Sequence, residues 1–138
     1  MIRILGVDVG SVRVGVALSD PLGITAQPLE VIDRRRQDLF DRLTALVHEH
    51  EVQRVVVGLP LQLDGQTGQA ARAVHEFVAE LTKRVDAPID LWDERLSTAE
   101  AERAMISGGA RRAERKKKID SVAAALILQA YLDARNNK

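Results

Sequence analysis

Residues 2–18 read IRILGVDVGSVRVGVAL, in which two valine-rich apolar runs are joined by Gly10 and Ser11. This pattern predicts two neighbouring strands connected by a tight turn. The first run contains Asp8 between Val7 and Val9, although a central strand is expected to carry only apolar side chains. A buried carboxylate has to be paired or bind a metal. Asp8 is therefore a candidate functional residue, with the alternative that it ends the strand and caps the turn.

The length and composition of the chain limit its class. Its 138 residues fit a single folded domain over residues 1–138. The chain contains no cysteine, so disulfides, thiolate zinc sites and a cysteine nucleophile are excluded, and a reducing cytoplasm is expected. No secretion signal is evident, and no apolar run approaches the roughly 20 residues of a membrane-spanning helix. Acidic and basic residues balance at 20 each, so only their distribution is informative about a polyanionic partner.

The rest of the chain alternates between strand and helix patterns. A third strand over residues 26–32 follows a short turn, which favours an antiparallel meander of three strands. Downstream, a buried β-branched run lies between helical stripes, which indicates parallel strands covered by helices in an α/β sheet. The further predicted elements are a helix over 38–50, a strand over 54–58, a loop over 59–68, a helix from 67 that ends before 87, a strand over 89–92, a helix from 97 that stops at 108, and a last helix over 119–134.

Acidic residues stand out at two further places. Asp120 heads the apolar stripe of the last predicted helix, where it either faces a functional cleft or caps the helix N-terminus. Asp93 and Glu94 follow the fifth strand, and acids at the carboxyl ends of strands in an open α/β sheet are placed for chemistry. Because side chains alternate along a strand, one of the pair is expected to point at the site. The alternative is a solvated turn in which Arg95 pairs locally.

Carboxylates that converge on one cleft repel each other unless cations neutralise them. Mg²⁺ prefers oxygen ligands and combines carboxylates with phosphate oxygens, and two divalent ions about 4 Å apart can clamp a phosphodiester. A basic loop directly before Asp120 is expected to hold such a polyanion. Aromatic residues are few, so the expected targets are backbone phosphates rather than stacked bases. The cationic residues of the basic loop are Arg111, Arg112, Arg115, Lys116, Lys117 and Lys118.

Four motifs in order resemble the YqgF/RuvX family of RNase H-like nucleases, also described as Holliday junction resolvase-like. They are GVDVGSVRVGVALSD, VVVGLPLQLDG, LWDERLSTAEA and KKKIDSVAAALILQAYL, and together they extend over nearly the whole chain. The resemblance implies an RNase H-like α/β fold with a five-stranded mixed sheet. Three antiparallel strands would be followed by two parallel strands, with helices on both faces.

The resemblance also implies a phosphodiesterase that depends on Mg²⁺ or Mn²⁺, with a two-metal site expected. The acidic positions of the family match Asp8, Glu94 and Asp120, and Asp93 is held in reserve as the alternative second ligand. Family members are associated with maturation of the 5′ end of pre-16S rRNA, and some with cutting four-way DNA junctions. The positions where substrate is expected to approach are Gly10, Ser11, Gly58, Pro60, Asp64 and Gly65.

Three functions are compatible with these residues. The leading one is hydrolysis of a nucleic acid, with an RNA precursor favoured over a DNA junction on family grounds alone. Paired cuts on a junction favour a two-fold dimer, whereas trimming one RNA end requires none, so a monomer or a homodimer is expected. The Asp-x-Gly turn also resembles the phosphate loop of actin-like kinases and ATPases, which use two such domains. The third function is an RNA-binding module for ribosome assembly without turnover.

Overall fold

The computed structural model describes residues 2–60, 68–96 and 112–137, with side chains of the last segment described from residue 121. Its five strands are β1 (Ile4–Val9), β2 (Arg13–Ser19), β3 (Ala26–Asp33), β4 (Arg54–Leu59) and β5 (Ile89–Asp93). They form one sheet in the order β3-β2-β1-β4-β5. β1 to β3 pair antiparallel, β4 pairs parallel to β1, and β5 pairs parallel to β4. The expected mixed sheet is therefore confirmed.

Helices cover both faces of this sheet. α1 and α2 pack on one face, where their apolar side chains join Val7 and Val55, and α3 packs on the other face against Ile4 and Val56. The central strands β1 and β4 are rich in valine because both of their faces are buried. No helix in the described segments is both long and apolar enough to span a membrane. The three described α-helices are α1 (Leu39–Glu49), α2 (Gln69–Thr82) and α3 (Arg112–Asn136).

α3 crosses β1 in close contact at Gly6. A Cβ added at Gly6 would lie 3.2 Å from the carbonyl oxygen of Ala124, so glycine allows the helix to approach the strand. At its other end, α3 reaches the turn beside Ile2, where the side-chain amide of Asn136 donates to the carbonyl oxygen of Gly23 at 3.0 Å. Because Ile2 precedes β1, α3 runs antiparallel to β1. Its N-terminal half therefore lies toward the carboxyl end of β1.

The last helix begins at Arg112 rather than at residue 119. The prediction of a basic loop before Asp120 is therefore wrong, because residues 112–118 continue the helix. Their lysine, arginine, glutamate and alanine residues are favourable helix formers, so a run of positive charge does not interrupt the backbone hydrogen bonds. The alternative that Asp120 is an N-cap is wrong for the same reason, since position 120 lies inside the helix.

The other described elements agree with their predictions apart from small shifts at the ends. The helix predicted over residues 38–50 is α1, and Asp38 caps it by accepting a hydrogen bond from the backbone N–H of Asp41 at 3.0 Å. The helix predicted from residue 67 begins at Gln69. The helix predicted from residue 97 and most of the loop predicted over 59–68 lie outside the described residues.

Candidate active site

The carboxyl ends of β1, β4 and β5 meet at one edge of the sheet, because these strands are parallel. We call this the carboxyl edge. Asp8 lies near the end of β1, Gly58 near the end of β4, and Glu94 directly after β5. The register pairs Val7 with Val57, so Asp8 and Gly58, the next residue in each strand, are neighbours at a strand spacing of about 4.8 Å.

Asp8 lies on the face of the sheet that α3 covers. Side chains alternate along a strand, and both Ile4 and Gly6 lie against α3. Asp8 is within β1 rather than in the turn that follows it. It is 5% exposed, so its carboxyl group is almost fully removed from water. A charged group at this position is costly unless the surroundings compensate it.

Glu94 folds back over Gly58. It opens a short 3-10 turn over Glu94–Leu96 and is 4% exposed. A Cβ added at Gly58 would lie 3.1 Å from Cγ and 3.3 Å from Cδ of Glu94, and 2.7 Å from Cδ1 of Ile127 in α3. The space that a side chain at position 58 would fill is therefore occupied by Glu94 and by Ile127 of α3. Since Gly58 is also the neighbour of Asp8 in the adjacent strand, Asp8 and Glu94 lie beside the same glycine.

Asp93 is committed to a local ion pair. Nη2 of Arg95 lies 2.6 Å from Oδ2 of Asp93, and the backbone N–H of Arg95 donates to Oδ1 at 2.9 Å. These hydrogen bonds lower the pKa of Asp93, against the opposing effect of burial. The alternative of local pairing with Arg95 therefore applies to Asp93. Glu94 is buried and lies beside the neighbour of Asp8.

The backbone of Asp120 lies in α3, one helical turn before Ala124. The carbonyl of Ala124 approaches Gly6, and α3 runs antiparallel to β1. Moving from Ala124 to position 120 covers about 6 Å toward the carboxyl edge. Moving from Gly6 to Asp8 covers about 7 Å in the same direction. The backbone at position 120 therefore lies beyond Gly6 in the direction of the carboxyl edge, and the side chain of Asp120 lies outside the described ones.

The other predicted positions that the structure describes surround the same edge. Gly10 and Ser11 form the turn after β1, where a Cβ at Gly10 would collide with the carbonyl oxygen of Arg13. Pro60 directly follows β4. Arg111, Asp64 and Gly65 lie outside the described residues. The first turns of α3 carry the remaining predicted nucleic-acid-binding residues, which are Arg112, Arg115, Lys116, Lys117 and Lys118.

Sequence reasoning missed the arginines that follow β3. β3 ends at Asp33, and Nη1 of Arg34 donates to the carbonyl oxygen of Gly10 at 2.9 Å. A signal was present, because the third strand of a meander runs parallel to the first. A basic run directly after that strand therefore lies at the same edge as the end of β1.

Among the side chains that the structure describes, no three histidines, aspartates or glutamates are close enough together to hold a metal ion. Asp8 and Glu94 provide two carboxylates, and a third would have to come from a side chain outside the described ones.

Comparison with known proteins identifies the family. The model of RuvX, described as Holliday junction resolvase, matches residues 2–134. A protein of Desulforamulus reducens is 48% identical over 134 residues, which cover 96% of this chain and 97% of that protein. A protein of Listeria monocytogenes serotype 4b is 48% identical over 137 residues, which cover 97% and 99%. Both relatives carry the name "Putative pre-16S rRNA nuclease".

Solved structures share the fold. RuvC of T. thermophilus in complex with a Holliday junction substrate superposes with a TM-score of 0.61 at 17% identity, covering 99% of this chain and 96% of that chain. The fowlpox virus Holliday junction resolvase gives a TM-score of 0.54 at 11% identity, covering 97% and 99%. The structural likeness confirms the expected RNase H-like fold. The family match over residues 2–134, together with relatives that are nearly half identical, shows that this chain belongs to the RuvX family.

Proposed function

We propose that this chain is a metal-dependent nuclease that hydrolyses phosphodiester bonds at the carboxyl edge. The observation that carries the proposal is the pair of Asp8 and Glu94, which are remote in sequence and 5% and 4% exposed beside the same glycine. Two negative charges buried this close together destabilise the fold unless cations offset them. A site that served only the core would be expected to carry apolar residues at both positions.

The donor chemistry fits hard divalent ions. Carboxylate oxygens are preferred ligands of Mg²⁺ and Mn²⁺. Asp8 and Glu94 would hold the ions together with Asp120, whose backbone lies in the half of α3 that is nearer the carboxyl edge. The three carboxylates would together hold a pair of divalent ions. Bound ions of this kind supply Lewis-acid activation of water and of the scissile phosphate.

The chain's own residues position these carboxylates and the substrate. Gly58 provides the space for the carboxyl group of Glu94, and Gly6 allows α3 to approach β1. The basic residues in the first turns of α3 would bind the phosphate backbone beside the acids. Phosphate contacts set affinity and register without reading sequence, so the substrate would be recognised by its backbone and its shape.

A structured RNA precursor is the favoured substrate. Relatives that are 45% to 49% identical are named for pre-16S rRNA, whereas the resolvase structures share 17% identity or less and support the fold alone. The alternative substrate is a four-way DNA junction, in line with the description of the family. Processing of a ribosomal RNA precursor would place the protein in the cytoplasm. The proposed oligomeric state is a monomer or a homodimer.

The test offers both substrates to purified wild-type and Asp8→Asn protein at physiological salt, with Mg²⁺, Mn²⁺ or EDTA. Cleavage by wild type should require the metal, and Asp8→Asn should lower the rate by at least about a hundredfold, roughly 2.7 kcal/mol of barrier. Asp90→Asn is the matched control, because Asp90 lies in β5 and is held by Tyr131 and Arg54 away from the carboxyl edge.

Three outcomes would contradict the proposal. Cleavage by Asp8→Asn at the wild-type rate would remove Asp8 from the chemistry, and cleavage in EDTA would remove the metal. Binding of RNA that is independent of metal, with no cleavage under any condition, would instead identify a non-catalytic assembly module.

A further inference from the structure

A second basic region lies at the carboxyl edge, on the side away from β4 and β5. β3 runs parallel to β1, because each pairs antiparallel with β2. The end of β3 at Asp33 is therefore at the same edge as Asp8, and Arg34, Arg35 and Arg36 follow it directly. We call these three residues the arginine corner.

The sheet register places this region on the same face as Asp8. Asp8 pairs with Gly15, and Arg13 pairs with Asp33. Residues directly opposite each other in antiparallel strands share a face, and Gly15 and Arg13 are two positions apart on one strand. Arg13 and Asp33 therefore lie on the face that carries Asp8, and the arginine corner begins where that face ends.

The arginine corner is anchored to the turn after β1. The backbone N–H of Arg34 donates to the carbonyl oxygen of Val12 at 2.9 Å, and Nη1 of Arg34 donates to the carbonyl oxygen of Gly10 at 2.9 Å. Gly10 is two residues beyond Asp8, about 7 Å along the chain. The guanidinium of Arg34 is thus held beside the turn that follows Asp8.

The charge of the corner is only partly neutralised inside the protein. Asp33 forms hydrogen bonds with Nε and Nη2 of Arg35 at 3.1 and 3.0 Å. These bonds lower the pKa of Asp33 to about 2, so it stays ionised and offsets one positive charge. The side chain of Arg35 is 64% exposed and that of Arg36 is 81% exposed. Three arginines against one aspartate leave residues 33–36 with excess positive charge at the surface.

We propose that the arginine corner is a second binding surface for the phosphate backbone of the nucleic acid, distinct from the basic turns of α3. The proposal rests on the proposed function for its geometry, since that function places one phosphate of the nucleic acid at Asp8 and Glu94. Phosphates advance by about 3.4 Å per nucleotide along a duplex. A strand with one phosphate at the carboxylates therefore brings its neighbours to the corner within about two or three nucleotides. The two basic regions would hold the backbone on both sides of the cleavage point.

The test compares charge reversals at two matched positions, Arg36→Glu and Lys83→Glu. Lys83 is 75% exposed and lies 3.7 Å from Glu80, just as Arg36 is 81% exposed and lies 3.7 Å from Asp33. Lys83 follows α2 near the start of the parallel strands, away from the carboxyl edge. Both variants change the net charge equally, so a difference between them reports the location of the charge.

Binding of a short RNA duplex with a 5′ single-stranded extension is measured by fluorescence anisotropy in EDTA, over a series of salt concentrations. Arg36→Glu should weaken binding about tenfold at 0.1 M salt and lower the slope of log K against log salt by about 0.7 to 0.9. Lys83→Glu should weaken binding far less and leave the slope unchanged. Arg36→Lys should recover most of the affinity, since it restores the charge.

Equal weakening by the two reversals would overturn the proposal, because the effect would then be one of net charge. A loss of affinity in Arg36→Glu that accompanies a lowered thermal midpoint and is not recovered by Arg36→Lys would overturn it as well. The assay requires no chemistry, so it separates the two proposals. Wild-type protein that binds through Arg36 without cleaving supports the surface and contradicts the nuclease, and cleavage with no dependence of binding on Arg36 does the reverse.

Discussion

The acidic side chains at the two ends of β4 and β5 differ in their burial and in their partners. At the amino ends, Nη1 of Arg54 lies 2.7 Å from Oδ2 of Asp90, and the hydroxyl of Tyr131 donates to the same oxygen at 2.7 Å. The side chains of Arg54 and Asp90 are 33% and 37% exposed. At the carboxyl ends, Asp8 and Glu94 are 5% and 4% exposed and lie beside Gly58.

Under the proposed function, this difference separates a structural carboxylate from two that take part in the chemistry. Asp90 is partly exposed and is compensated by an arginine and a tyrosine, so its charge is offset without a metal ion or a ligand. Asp8 and Glu94 lie side by side in the interior, where like charges oppose each other. An open cavity of about 660 Å³ is lined by Val52 and Ala87, which precede β4 and β5. This cavity therefore lies at the amino ends, whereas the buried carboxylates lie at the carboxyl edge.

The test with the largest expected effect replaces each of the neighbouring acids Asp93 and Glu94 by its amide, one at a time. Glu94→Gln should lower the cleavage rate by about a hundredfold or more, because it removes a carboxylate from the proposed metal site. Asp93→Asn should leave the rate within about twofold and cost less than about 1 kcal/mol of stability, since Asp93 forms a partly exposed pair with Arg95. Single-turnover cleavage and chemical denaturation measure the two quantities. The reverse ranking would make Asp93 the second ligand.

A smaller effect is expected when Gly58 becomes alanine. The new Cβ would lie 2.7 Å from Ile127 and 3.1 Å from Glu94, so Gly58→Ala should cost about 1 to 3 kcal/mol of stability and lower cleavage about tenfold, roughly 1.4 kcal/mol of barrier. The double variant Gly58→Ala/Ile127→Val removes the contact with Cδ1 of Ile127 and leaves the contact with Glu94. We therefore expect stability to recover in the double variant while activity stays low. The control is Ile127→Val alone. Recovery of both quantities would show that Gly58 serves packing only.

The smallest effect concerns Asp90. Burial raises the pKa of this carboxyl, but hydrogen bonds from Tyr131 and Arg54 outweigh it and the net pKa is lowered. A lowered folded pKa stabilises the protein above the unfolded value of about 3.9, and this contribution is lost as pH falls through the folded pKa. Asp90→Asn should therefore cost less than about 1 kcal/mol at pH 7, and the difference from wild type should shrink below about pH 4. Urea denaturation at pH 7 and pH 3 measures it. Loss of cleavage in this variant would contradict the comparison.

Most of the fold could be predicted because most of its strands and helices have a recognisable hydrophobic pattern in the local sequence. The β-branched run that became β4 and the apolar stripes of α1 and α2 each identify an element without reference to the others. The start of α3 could not be predicted in this way, because the charged residues 112–118 form no apolar stripe. Helix propensity was the remaining signal in that segment, and it was outweighed by the expectation that a basic run forms a loop.

The sequence singles out individual candidate residues of the site and gives less information about their arrangement. Asp8 stood out because it interrupts an apolar strand, which is a local anomaly. The distinction between Asp93 and Glu94 depends on where β5 ends and on the space above Gly58 in the neighbouring strand. The position of residues 34–36 depends on the direction of β3 relative to β1. Pairings between distant segments decide both, and no short stretch of sequence contains them.

The continuous course of α3 places the proposed nucleic-acid-binding residues and Asp120 on one rigid element. From Arg112 to Asn136 the helix is continuous, a rod of about 37 Å at 1.5 Å per residue, whose C-terminal half is wedged against the sheet at Gly6. The five cationic positions and Asp120 therefore belong to one stiff helix that packs on β1. Under the proposed function, a nucleic acid bound to the first turns of α3 would shift position 120 together with them, so binding of the substrate and alignment of the proposed metal ligand would be coupled.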